Sequence, residues 1–241
     1  NLGLSGARNT GMRQACGQYL QLLDADDVLL PTKLEVQVAY LRAHTECSMV
    51  YGEGIYIEHG KEVSVEYPPP KDGILRELLV RNFILVNAGL FRREVISQIG
   101  YFKERSQTRY PLYGCEDWDY WLRMAMSGCR IDEVKGVVVH NHWHESNMSS
   151  SNVDMRRSHL WVLLEASHHC GDLSWSQKKL LSSQIVYRHF LYIKSLDEAA
   201  DRTALIAERE QPAPFTPSGV GRIPYLLAKL APNDGYPHLA G

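Results

Sequence analysis

The chain has 241 residues, 44% hydrophobic and 22% charged, a composition that suits a folded domain with a sizeable core. Its formal charge of −2 lacks the basic excess of a nucleic-acid binder, so no nucleic-acid partner is expected. Five scattered cysteines, Cys16, Cys47, Cys115, Cys129 and Cys170, form no C-x-x-C pair, which favours reduced thiols in a cytoplasmic setting over a disulfide framework or zinc knuckle.

No apolar run reaches the roughly 18 residues that cross a bilayer, so no transmembrane segment is expected. The sequence opens at Asn1 in what reads as the middle of a motif, and the expectation is a piece of a longer protein. Gly6 to Ala15 reads as a short helix stopped by Gly17, and Tyr19 to Leu23 as a buried strand. The strand ends in Asp24-Ala25-Asp26-Asp27. Pro31 then opens a helix with Leu34, Val38 and Leu41 on one face. An acidic cluster at the C-terminal end of a strand, just before a helix, stands where open α/β sheets bind ligands.

Met49 to Ile57 and Val63 to Tyr67 read as strands joined through a His59-Gly60 turn. After Pro68-Pro69-Pro70 come a helix from Ile74 to Val80, a strand from Ala88 to Phe91 and a short helix ending at Gly100. Lys103 to Gly114 reads as a long loop, a feature that is often functional. Glu116 to Met126 has the clearest helical period, with Trp118, Trp121, Leu122 and Ala125 on one face. Val137 to Val139 reads as a last strand, followed by a histidine-rich segment. Long helical patterns then cover 154–168 and 176–208. The proline- and glycine-rich tail, 211–241, reads as partly disordered, with a short apolar helix at Ile223 to Leu230 as a possible contact to a partner or membrane surface.

Three clusters carry chemistry. Two carboxylates at i and i+2, Asp24 and Asp26, can share a hard divalent cation and bring it to phosphate oxygens, although an Asp-rich turn can also simply cap the next helix. Glu116 and Asp117 open a helix, where acids commonly just complement the dipole; the functional reading is a general base, with Trp118 and Trp121 nearby to pack or to line a sugar site. His140, His142 and His144 alternate, so an extended segment presents them on one face, towards a metal or as ordinary surface or core histidines.

These segments, in order, resemble family 2 glycosyltransferases of the GT-A fold. The resemblance is carried by Asn1-Leu2-Gly3-Leu4-Ser5-Gly6-Ala7-Arg8-Asn9-Thr10-Gly11, Leu23-Asp24-Ala25-Asp26-Asp27, Leu90-Phe91-Arg92-Arg93 through Gly100-Tyr101-Phe102, Glu116-Asp117-Trp118-Asp119, and His144-Glu145-Ser146-Asn147-Met148-Ser149. It spans residues 1 to about 150 and implies a mixed α/β sheet flanked by helices that lacks the family's first strands. A helical extension at 151–210 and the tail would follow.

The resemblance implies roles residue by residue. Asp24 and Asp26 match a D-x-D motif that faces the ribose and holds Mn²⁺ or Mg²⁺ on the diphosphate, and Arg8 and Asn9 match the donor side. Asp117 matches the catalytic base of inverting members, with Glu116 and Trp118 on the acceptor side. His144, with His142 second, would reach the metal or diphosphate. The expected partners are a nucleotide-sugar donor and a glycan, lipid-linked or protein acceptor, in the cytoplasm or peripherally at the inner face of the membrane. Without a Q-x-x-R-W motif or a membrane span, transfer of single sugars is expected. A non-catalytic binding remnant and a zinc protein built on the histidines are the competing readings.

Overall fold

The computed structural model describes residues 3–63, 70, 72–104, 107, 114–144, 151–199 and 204. Its centre is a parallel pair: β3, Cys47–Glu58, runs beside β6, Arg130–Trp143, from Cys47 opposite Arg130 to Glu58 opposite Trp143. The register shifts on both sides of Glu53, from Tyr51 opposite Glu133 to Gly54 opposite Val139, an irregularity of the kind that bends long strands. Gly52 faces this seam, where an added Cβ would lie 2.6 Å from a Val138 methyl. Strand β5, Gly89–Arg92, pairs antiparallel with β3 on one edge and with β1, Tyr19–Gln21, on the other. On the far side β2, Val28–Leu29, pairs antiparallel with β6, giving the order β1-β5-β3-β6-β2. Strand β4, Lys61–Val63, folds back on β3 through His59 and Gly60, both with positive φ. The sheet is mixed, as the sequence implies.

Helices cover this frame where the apolar period predicts them. They are α1, Gly3–Gln14; α2, Lys33–Ala43; α3, Ile74–Leu78; α4, Val95–Ile99; and α5, Glu116–Met126. In α5, Trp118, Tyr120, Trp121, Leu122 and Met124 are all buried, and such large apolar groups contribute roughly 1.5–3 kcal/mol each on leaving water. Helix α4 stops at Gly100, whose φ of 77° suits a glycine after a helix end. Helices α6, Asn152–His168, and α7, Trp175–Glu198, put Trp161, Leu163, Leu181, Ile185 and Leu196 into the same core as α5. A reciprocal Ser174–Gln177 capping box starts α7.

Two expectations need correction. The last strand runs for 14 residues rather than three, so His140 and His142 lie inside β6 and not after it. The two-residue strand β2 was not foreseen, because it exists only through its pairing with β6. Five cysteines are free. No helix among the described residues is long and apolar enough to cross a membrane. Most of the expected loop at Lys103 to Gly114, the segment 145–150 with Asn147 and Ser149, and the tail with Ile223 to Leu230 lie outside the described residues.

Candidate active site

The acidic loop is set by β1 entering it and β2 leaving it, closed by an Asp27 N–H to Asp24 carbonyl bond of 3.2 Å. Asp27, which sequence reasoning left without a role, is the buried member. Its Oδ2 accepts from the Asn87 and Asn141 amides, the latter at 2.7 Å, and its Oδ1 accepts from the His142 backbone N–H at 2.7 Å. Burial still pushes the Asp27 carboxyl up to about 6, against the pull of these bonds. Asn87 uses both ends of its amide: its Oδ1 also accepts the Asp24 N–H at 2.8 Å. The loop is thereby tied to the turn before β5 and to β6, which leaves Asp26 projecting.

Asp26 and His144 meet at the surface, with 3.0 Å between Oδ2 and Nε2 and both side chains nearly half exposed. His144 thus lies beside the acidic loop, 118 positions away in sequence. His142 meets the loop through its backbone, and His140 lies opposite Val28 in the β2–β6 pair.

A second acidic group stands at the start of α5. Asn82 donates to Asp117 Oδ2 at 2.9 Å, and the Trp118 backbone N–H donates to Oδ1 at 2.7 Å. Burial first, and the Glu116 charge second, push the Asp117 carboxyl up to about 6, while Arg8 and these hydrogen bonds pull it back. An acid raised that far, yet still ionised near neutrality, suits proton abstraction.

Arg8 joins the two groups. Its buried guanidinium pairs with Asp24 Oδ1 at 2.8 Å through one nitrogen and with Glu116 Oε1 through the other. A planar fork suits such a double carboxylate bridge, and a lysine would not reproduce it. Arg8, Asp24, Asp26, Glu116, Asp117 and His144 therefore belong to one site. Asn9 and Trp118 stand apart from its open side. Asn9 is buried and bonds both the carbonyl and the N–H of Phe102 at 2.9 Å, clamping α1 to the segment after α4. Trp118, expected beside an acceptor, is 1% exposed and donates its indole N–H to the Leu78 carbonyl. Asn82, Asn87 and Asn141 were missed, since an asparagine in a loop or strand gives no periodic signal.

Among the described residues no three His, Cys, Asp or Glu side chains gather as a metal site, so the three histidines do not make a zinc cage. The donor set fits instead a hard cation that takes one or two carboxylates and completes its shell with phosphate oxygens and water. Asp26 offers an exposed carboxylate and His144 an adjacent imidazole.

Comparison with known proteins bears on the family and the fold. Residues 1–100 match the family described as Glycosyl transferase family 2. The amylovoran biosynthesis glycosyltransferase AmsE of Erwinia amylovora is 27% identical over 140 residues, 58% of this chain and 50% of that protein. The UDP-Glc:alpha-D-GlcNAc-diphosphoundecaprenol beta-1,3-glucosyltransferase WfgD of Escherichia coli is 28% identical over 120 residues, 50% of this chain and 43% of that protein. The chain thus spans about half the length of these relatives. The mannosyltransferase PcManGT of Pyrobaculum calidifontis, solved with GDP-Man and Mn²⁺, superposes with a TM-score of 0.54 at 20% identity, covering 95% of this chain and 59% of that one. The fold is GT-A.

Proposed function

We propose that this chain, a family 2 glycosyltransferase sequence in a GT-A fold, transfers one sugar from a nucleotide-sugar donor to an acceptor hydroxyl, with inversion and without processivity. The observation that carries the reading is the Arg8 bridge, which draws together the Asp24–Asp26 loop, 16 positions from Arg8, and the Glu116–Asp117 pair, 108 positions from it.

The division of labour follows from the environments. Asp117, raised to about 6, takes the proton of the acceptor hydroxyl. The freed oxygen attacks the anomeric carbon from the face opposite the nucleoside diphosphate, which departs with the bonding electron pair. A positioned base of this kind contributes ~10²–10⁴ in rate. Mn²⁺ or Mg²⁺ would be held by Asp26 beside His144, with phosphate oxygens and water completing its shell, and would supply Lewis-acid neutralisation of the leaving diphosphate, while Asp24 stays paired to Arg8. PcManGT, solved with GDP-Man and Mn²⁺, supports that assignment by analogy of fold. Arg8 fixes the separation of the two carboxylate groups, and Asn82 orients Asp117. A glycan, lipid-linked or protein acceptor would be met in the cytoplasm or at the inner face of the membrane, and WfgD supports a carrier-linked glycan.

The test is release of nucleoside diphosphate by the full-length polypeptide from a panel of UDP- and GDP-sugars with Mn²⁺. Release that needs an acceptor and stops in EDTA is expected. Silence across the panel with mixed glycan acceptors would leave the non-catalytic reading in its place.

A further inference from the structure

At the start of α5, helices α6 and α7 bring a histidine and an arginine against the Trp118 ring. Arg188, on α7, runs between the two segments that hold Asp117. Its Nη2 donates to the Val80 carbonyl at 2.7 Å, two residues before Asn82, and its guanidinium lies 5.6 Å from the Trp118 ring. The Cys115 side chain, two residues before Asp117, feels its charge. Arg188 Nε is buried with no hydrogen-bond partner among the described residues. His159, on α6, stands edge-on to the same Trp118 ring at 5.4 Å, and its buried Nδ1 also lacks a partner. Arg156 lies one turn earlier on α6, with its Nε on the Asn152 side-chain oxygen at 3.2 Å. The start of α6 is held against the approach to α5, since Met155 Sδ would lie 3.1 Å from a Cβ at Gly114.

Neither Arg156 nor Arg188 pairs with a carboxylate among the described residues, whereas their neighbour Arg157 pairs with Asp154 at 2.6 Å. The Arg156 charge reaches both Arg188 and His159. Burial first, then these two arginines, push the His159 imidazole down to about 3. Two half-buried guanidinium groups that repel each other, beside a neutral imidazole whose Nδ1 lacks a partner, are at a cost until an anion neutralises them.

Resting on the transferase reading above, we propose that Arg156, Arg188 and His159 form an anion subsite beside Asp117 that grips a phosphate or diphosphate group carried by the acceptor. The acceptor is then a phosphate-linked glycan rather than a neutral one. The grip positions its hydroxyl against Asp117 and leaves the donor to Arg8, Asp24 and Asp26.

Calorimetric titration of the full-length polypeptide with inorganic diphosphate, in metal-free EDTA buffer and without donor, tests this apart from transfer. Saturable binding is expected, weakened about tenfold for each guanidinium removed in R156Q and R188Q. R156Q is the safer variant, because Arg188 also packs on Trp118; a melting curve on each variant separates lost binding from lost fold. Phosphatidylglycerol vesicles form the second arm. Binding to vesicles with no response to diphosphate would make the cluster a membrane-surface patch and overturn the proposal. No binding of diphosphate, or equal binding by folded R156Q and the unsubstituted protein, would also overturn it. Nucleoside diphosphate release from donor with Mn²⁺, measured in parallel, reports on the transferase reading alone.

Discussion

A carboxylate that must accept a proton near neutrality has to be made more basic without losing its charge. Burial and the neighbouring Glu116, set against Arg8 and the Asn82 amide, put Asp117 in that state. The base role proposed for it fixes a pH dependence. Only the ionised form can act as base, so kcat/KM should rise with pH through about 6 and level off above it. Removing the Asn82 donor withdraws a bond that favours the charged form, so in N82A the acidic limb should move to higher pH. A limb that stays in place or moves down would contradict that role for Asn82. At this scale the sequence was informative where chemistry is local and silent where it is not. Asp24, Asp26 and Asp117 stand in readable motifs. Asp27 looked like a third acid of the same string, and only the fold reveals it as the one fastened to Asn87, Asn141 and the His142 backbone. Trp118 misled for a related reason, because an aromatic beside an acid reads equally as sugar platform or core.

Between secondary elements, polar contacts inside the molecule hold the site in shape. Asp27 accepts three N–H bonds, so Asp27→Asn would turn one oxygen into a donor facing donors. Despite losing a buried charge, D27N should be destabilised by about 1–3 kcal/mol in urea unfolding, the cost of a buried unsatisfied group. Unchanged stability would mean the loop does not rely on those bonds. Beneath it Lys33, 1% exposed, donates to the side chains of Gln21 and Gln37 and anchors α2 under β1. Burial pushes its ammonium down to about 7, so above that pH the unfolded chain binds the extra proton. Stability should accordingly rise between pH 7 and 8.5, by at most about 1.4 kcal/mol per unit, below the range of the raised Cys47 thiol. K33M should flatten the rise, and an equal slope in that variant would refute the assignment. The boundaries of α5 were legible because its aromatic face is strictly periodic. Those of β6 were not, since Arg130 to Gly136 mixes charge and glycine and is held as strand mainly by its register with β3.

Over the whole molecule, the arrangement is one sheet with the carboxylates of the candidate site at the ends of several elements. Its α6 and α7 pack into the α5 core, and they bring His159 and Arg188 against Trp118, the residue after Asp117. The sequence order of motifs indicated this fold, but a helical period alone could not say that α6 and α7 would border the site. In the proposed division of labour Asp26 serves the donor and Asp117 the acceptor. Donor affinity and turnover, measured together with Mn²⁺ on the unsubstituted protein, D26N and D117N, separate the two roles. In D117N, nucleotide-sugar affinity should stay within about a factor of three, a difference under 1 kcal/mol, while turnover falls by ~10²-fold or more. In D26N, the metal-dependent part of donor binding should disappear. A D117N protein that turns over near the unsubstituted rate, or a D26N protein that keeps its metal-dependent affinity, would contradict the claim.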